Sequence, residues 1–149
     1  MRRRVVGFLG WLAAGLLIAG GISAAGQAPP LEDQLRDAAL RIEWAAASLE
    51  ERENVARLAA AFKVRPRTIA DLRDDKLDFG EVSLVLALAE GGKTKPEKIL
   101  SLWATDRLNW SEICEREQIA RQPLLKRLDL VRRALAPSPA PRGGSRRTR

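Results

Sequence analysis

The sequence predicts an all-α fold for the middle of the chain. Apolar residues recur there at intervals of three and four positions, which is the spacing of one face of a helix. No stretch shows the alternation of apolar and polar residues between turn dipeptides that indicates a strand. Prolines, glycines and capping sequences divide this region into short segments. The expected architecture is therefore a small bundle of short helices.

The predicted helical region begins at Leu31, after a short linker at residues 26–30. Ser48 and Glu51 have the spacing of a capping box, so either a second helix starts there or the first helix continues through them. Pro66 ends the next apolar stripe and suits the first turn of the following helix. The apolar positions of the first stripe are Leu31, Leu35, Ala38, Ile42, Ala45 and Leu49.

The second half of the region contains the most apolar segment, Val82–Ala89, which is long enough for a buried helix. The two glycines at 91–92 are expected to end that helix. Thr94 and Glu97 have capping-box spacing and predict another helix start. Pro123 is expected to open the final helix, whose apolar stripe is Leu124, Leu125, Leu128, Val131 and Leu135.

The chain contains a two-fold internal repeat of helix, polar loop and longer helix, with units at about residues 66–90 and 96–120. The offset between matching positions is 30 residues at the first two and 31 afterwards. The fold class is therefore a small all-α bundle with a helix-loop-helix repeat. The matching pairs are Ile69 with Ile99, Leu72 with Leu102, Leu77 with Leu108, Phe79 with Trp110, Glu81 with Glu112, and Val82 with Ile113.

The repeat resembles that of an uncharacterised group of small exported bacterial proteins, in which I-x-x-L and a loop precede aromatic-G-E-I. The resemblance covers about residues 64–120. The first unit has the closing motif at residues 79–82 (FGEV), whereas the second unit, at residues 110–113 (WSEI), has serine in place of glycine. The resemblance implies export and helical repeats, and it implies no particular chemistry.

The repeat motif also supplies the candidate site residues, which are Asp78, Phe79, Glu81, Asn109, Trp110 and Glu112. In each unit the two polar residues have the spacing of an N-cap and the third helical residue, which predicts a capping box. The aromatic residue between them is expected to cover the core beneath the loop. Ligand binding by the two glutamates is the alternative.

The N-terminal segment has the composition of a membrane-targeting sequence. Three arginines at residues 2–4 precede an uncharged apolar run from Val5 to Ala25, and Ser23 with Ala25 fits a cleavage site. Residues 1–25 are thus predicted to be a signal peptide or an uncleaved membrane anchor followed by the linker. The predicted location of the body is periplasmic or secreted, with attachment to the inner membrane through residues 5–25 if they are not removed.

The net charge of +7 is concentrated at the two ends of the chain. The basic, proline- and glycine-rich tail at residues 137–149 is predicted to be disordered. Between leader and tail the 19 acidic residues are balanced by as many basic ones, which argues against nucleic acid as the partner of the helical domain at residues 31–136.

Side chains that commonly bind cofactors or metals are scarce. Histidine is absent, and one cysteine, Cys114, excludes an internal disulfide framework. No cofactor is predicted. Cys114 could form an intermolecular disulfide if it is exposed. The acidic loop between Asp71 and Glu81 lacks the alternating carboxylate order of a calcium loop, so a solvated loop is expected.

These features predict a non-enzymatic interaction or structural module of the bacterial envelope, whose partner is an envelope protein or polymer. One alternative is a helix-turn-helix DNA-binding protein with an N-terminal membrane segment, contacting nucleic acid through Arg65 and Arg67. A third hypothesis, an envelope hydrolase, requires Glu81 and Glu112 to face one cleft. The helix-turn-helix packing positions are Leu58, Ala59, Phe62, Val64, Ile69 and Leu72.

Overall fold

The computed structural model describes residues 29–137 and confirms the all-α fold class. The leader at residues 1–25 and the tail from residue 138 lie outside this range. None of the helices in the described part of the chain is both long enough and apolar enough to cross a membrane. The helices are α1 (Leu31–Ala46), α2 (Glu51–Phe62), α3 (Pro66–Asp74), α4 (Phe79–Gly91), α5 (Pro96–Ala104), α6 (Trp110–Arg116) and α7 (Arg121–Leu135).

The central helix of the bundle is α4, as the apolar run Val82–Ala89 predicts. It contacts α1, α2, α3, α5 and α7. All residues from Val82 to Ala89 are buried, including Ser83, whose hydroxyl donates to the carbonyl oxygen of Phe79 at 2.7 Å. A helix without a polar face can be stable in water only when other elements surround it. These five helices therefore surround α4 and bury it.

Helices α1 and α4 approach each other closely at Gly80. A Cβ atom added to Gly80 would clash with the carbonyl oxygen of Ala39, so the two backbones touch at this point. The buried positions of α1 are Leu35, Ala39, Ile42 and Ala46. The predicted stripe is buried at Leu35 and Ile42, and its positions Leu31, Ala38 and Ala45 are half-buried against the core. Ala39 and Ala46 are buried positions that the stripe did not include. Which face of α1 is buried depends on how α4 and α7 pack against it, and the sequence of α1 alone does not specify that packing.

Three turns of similar geometry connect α2 to α3, α4 to α5, and α6 to α7, and we call them the left-handed corners. Each has a residue with positive φ: Lys63 at 56°, Lys93 at 51° and Gln118 at 55°. In each corner the following amide bonds to a carbonyl oxygen five residues earlier: Val64 to Ala59, Thr94 to Ala89, and Ile119 to Cys114, at 2.8–3.0 Å. These bonds satisfy carbonyl groups at the helix end.

The corners extend the predicted repeat, because the turn after α6 is a third copy of the turns after α2 and α4. The prediction that the two glycines after Val82–Ala89 end this helix is confirmed. Gly91 is the last residue of α4, and Gly92, with a φ of −83°, is its C-cap. The left-handed conformation is taken by Lys93.

Two predicted capping boxes are absent. α2 begins after Glu50 and α5 after Lys95, in both cases without a side-chain cap. The Ser48 hydroxyl instead donates to the carbonyl oxygen of Ala45 at 2.8 Å. Pro96 occupies the first position of α5, which leaves Thr94 one residue too early to be the N-cap. The final helix likewise begins at Arg121, two residues before the predicted Pro123.

The left-handed corners predict stabilisation by glycine. An L-residue with a side chain loses roughly 1 kcal/mol in this conformation, a cost that glycine avoids. Lys63→Gly is therefore expected to raise the free energy of unfolding by about 1 kcal/mol, measured by urea denaturation. In the matched control Lys126→Gly, within α7, glycine should lower it by about 1 kcal/mol. Destabilisation by both variants would contradict the left-handed conformation of Lys63.

Candidate functional site

Both capping boxes of the repeat motif are formed. The Asp78 Oδ1 atom accepts from the Glu81 amide at 2.7 Å, and the Asp78 amide donates to Glu81 Oε2 at 3.0 Å. In the second unit the Asn109 Oδ1 atom accepts from the Glu112 amide at 2.9 Å, and the Asn109 amide donates to Glu112 Oε2 at 2.7 Å. The polar residues of the motif thus fix the N-termini of α4 and α6.

Helix α1 supplies one further carboxylate to each of these N-termini. Glu43 Oε2 accepts from the amide of Phe79 at 2.8 Å, and Glu32 Oε2 accepts from the amide of Ser111 at 3.0 Å. The two glutamates are eleven residues apart, about three helical turns, and therefore share one face of α1. A carboxylate at a helix N-terminus interacts favourably with the helix dipole.

Neither glutamate was among the residues predicted from the sequence, because their partners lie 36 and 79 residues away along the chain. The only available signal was the three-turn spacing of two acidic residues on the face that also carries Ala39. The loss of glycine in the second unit also has a structural reason. Gly80 touches the α1 backbone, whereas Ser111 keeps its side chain and donates its hydroxyl to Asn109 Oδ1 at 2.7 Å.

A cleft of about 310 Å³ opens between α1, the start of α4 and two tryptophans, and we call it the tryptophan cleft. The structure brings three of the predicted motif residues to it: Asp78, Glu81 and Trp110. The other three, Phe79, Asn109 and Glu112, do not line it. Its complete lining is Arg36, Ala39, Leu40, Asp78, Glu81, Leu84, Trp103 and Trp110.

The two tryptophans form one wall of the cleft. The rings of Trp103 and Trp110 stack with centroids 5.2 Å apart and an interplanar angle of 9°. Trp110 is buried as predicted for the motif aromatic, whereas Trp103 is half-buried. The equivalent aromatic of the first unit, Phe79, is also buried and lies beneath the guanidinium of Arg73, 4.4 Å from the ring centroid.

Charged groups of both signs surround this aromatic wall. Burial raises the pKa of the Glu81 carboxyl, and the nearby Asp78 and Glu43 carboxylates raise this pKa further. The hydrogen bond from the Asp78 amide lowers the pKa but does not reverse the shift. Arg36 pairs with Glu32 through its Nε atom at 2.7 Å. The cleft can therefore hold an apolar group against the tryptophans while offering a carboxylate to an adjacent donor.

The carboxylates of the repeat do not form a pair across one cleft. Glu81 lines the tryptophan cleft and Glu112 does not, and each is engaged in the capping box of its own helix. The hydrolase hypothesis required both side chains to face a common cleft. The geometry therefore gives it no support.

The remaining candidate residues lie elsewhere. Cys114 is 2% exposed, and burial raises the pKa of its thiol to about 11, so the exposure needed for an intermolecular disulfide is lacking. Within residues 29–137 no group of three or more histidine, cysteine, aspartate or glutamate side chains is placed to hold a metal ion. Arg65 and Arg67 lie exposed at the start of α3, where Arg67 Nε is 3.7 Å from Asp71 Oδ1.

Comparisons of the chain with protein-family models, with curated proteins and with solved structures found no match. The arrangement of side chains around the tryptophan cleft and on the exposed surface of α1 is consequently the basis for a functional proposal.

The contacts of α1 with the repeat helices predict that Glu43→Ala lowers the free energy of unfolding by about 2 kcal/mol, since it removes a charged acceptor from a half-buried helix start. Asp37→Ala is the control on the same helix. It removes an exposed ion pair with Arg41 and should change stability by less than about 0.5 kcal/mol. Equal effects in urea denaturation would contradict a special role for Glu43.

Proposed function

We propose that this chain is an exported, non-enzymatic interaction module of the bacterial cell envelope that binds a protein partner at the tryptophan cleft. The observation that carries the proposal is the exposure of two large apolar side chains beside the cleft. Leu40, which lines it, is 52% exposed, and Trp44, one turn further along α1, is 73% exposed. Tryptophan is enriched among the residues that dominate binding energy in protein interfaces.

The chemistry of the cleft suits a peptide segment with an apolar side chain next to a basic one. The apolar side chain would pack between Leu40 and the Trp103–Trp110 stack. Asp78 and Glu81 each use one carboxylate oxygen in the capping box, so the second oxygen can accept from a basic group. Apolar anchors surrounded by polar contacts are the usual composition of a specific protein interface.

Export is supported by the sequence before the described residues. The arginines at residues 2–4 and the apolar run Val5–Ala25 have the order of a targeting segment, and the resemblance of the repeat to exported bacterial proteins points the same way. An uncleaved leader would leave the helical domain attached to the inner membrane. Cleavage would release it into the periplasm.

The DNA-binding alternative depends on the α2–α3 corner. The apolar positions of the helix-turn-helix pattern are buried or half-buried at that corner, and the exposed Arg65 and Arg67 lie near the start of α3. However, Arg67 is close to Asp71, and α3 ends with Asp74 followed by Asp75. These carboxylates would face the phosphates of a duplex approached by α3, which favours the protein-binding proposal.

Photo-crosslinking in living cells tests the proposal. A benzophenone amino acid at Trp44 of the full chain should give a discrete protein adduct in the envelope fraction. The matched control is Leu130 on α7, which is also a large exposed apolar residue, at 48% exposure, but does not line the cleft. The Trp44 adduct should be lost when Trp103→Ala removes half of the aromatic wall.

Three results would contradict the proposal: equal adducts from both positions, no adduct from Trp44, or an intact chain in the cytoplasm. Adducts to DNA from a benzophenone at Arg65, without a protein adduct from Trp44, would favour the helix-turn-helix alternative.

A further inference from the structure

The three left-handed corners lie next to one another at one end of the bundle. A groove lined by Phe62, Val64 and Pro96 joins the first corner to the second. A larger cavity of about 430 Å³, lined by residues that include Gly91 and Gln118, joins the second corner to the third. The C-terminal ends of α2, α4 and α6 thus form a continuous surface.

The chain leaves the bundle toward the leader at this same end. Arg121, the first residue of α7, follows the third corner directly, and its Nη2 atom donates to the carbonyl oxygen of Pro29 at 3.1 Å. The Gln34 side chain donates to the same oxygen at 2.7 Å. Pro29, the first residue described, therefore lies at the same end of the bundle as the third corner.

The first two corners carry four exposed basic side chains that we call the basic end: Lys63, Arg65, Lys93 and Lys95. Two acidic residues at the corners are paired with basic ones: Glu90 Oε2 with Arg127 Nε, and Glu117 Oε2 with Lys98 Nζ, each at 2.6 Å. Glu97, on the first turn of α5, is the exposed acidic side chain closest to Lys95 in sequence. The basic end therefore has an excess of positive charge although the helical domain as a whole is balanced.

We propose that the basic end lies against anionic lipid head groups of the membrane that holds the leader. This rests on the proposed function, in that residues 5–25 must be inserted in a bilayer. From Ala25 to Pro29 the chain spans at most about 14 Å, which keeps the corners close to the head groups. Charges of opposite sign attract each other appreciably within a Debye length, about 8 Å at physiological salt. Clusters of basic residues beside a membrane segment bind anionic lipids in this way.

Such binding would orient the domain. The corners lie at the C-terminal end of α4, and a helix of this length extends about 20 Å. With the corners facing the bilayer, the N-terminal end of α4 therefore points away from the membrane. The tryptophan cleft includes Asp78 and Glu81 from that first turn. The partner-binding surface would then remain accessible from the aqueous side.

Energy transfer in lipid nanodiscs tests the inference on the full chain. A donor dye is placed at Ala120→Cys in the third corner, since the buried Cys114 thiol is protected from labelling. The acceptor is a dye on lipid head groups. Transfer should increase when phosphatidylglycerol replaces part of the phosphatidylcholine, and added salt should reverse the increase.

The charge-reversed variant Lys63→Glu with Lys93→Glu should lose the increase. The matched control is Arg52→Glu with Lys76→Glu, which reverses two exposed basic residues near the opposite ends of the same helices, α2 and α4. The control should keep the increase. Far-ultraviolet circular dichroism of both variants verifies that the helices are retained.

The possible results distinguish membrane insertion of residues 5–25 from lipid binding by the basic end. If the full chain does not remain with nanodiscs made of phosphatidylcholine alone, the membrane segment fails and the inference fails with it. If the chain remains but phosphatidylglycerol has no effect, or the two variants behave alike, only the inference is overturned. Binding of a DNA duplex in lipid-free detergent, lost on reversing Lys63 and Lys93, would instead assign the basic end to nucleic acid.

Discussion

The contact between the backbones of α1 and α4 is the constraint on which the rest of the structure depends. Gly80 allows α4 to approach Ala39 so closely that no side chain fits between them. At this separation Glu43 reaches the amide of Phe79, and α4 is enclosed by its neighbours on every side. A wider separation would leave a gap beside a helix that has no polar face, and close packing of the interior is what stabilises such a helix.

Helix α1 has two roles. Its inner face holds both repeat units through Ala39, Glu43 and Glu32, whereas its outer surface exposes Leu40 and Trp44 beside the tryptophan cleft. The repeat units therefore differ in what they contribute. The first supplies the carboxylates of the cleft, and the second supplies its aromatic wall, with Trp103 from α5 and Trp110 from α6.

Local patterns predicted much of the fold, and distant contacts account for what they missed. The buried run Val82–Ala89 and the two motif capping boxes depend on residues close in sequence, and the structure contains all three. The boxes expected at Ser48 and Thr94 had the right spacing, but the helices begin elsewhere. The cleft joins residues from four helices, so the spacing of Asp78, Glu81 and Trp110 could not indicate that they meet. The left-handed corners were missed because lysine and glutamine occupy positions that usually favour glycine.

The most direct test of the central contact is the stability of Gly80→Ala in urea denaturation. The α1–α4 contact predicts a loss of about 3 kcal/mol, because the added methyl group meets backbone atoms that cannot rotate away. Ser111→Ala, at the equivalent position of the second unit, removes one hydroxyl bond and should cost about 1 kcal/mol or less. If α1 and α4 were not in contact, alanine in the first turn of α4 would raise stability by up to about 1 kcal/mol, and that result would contradict the account.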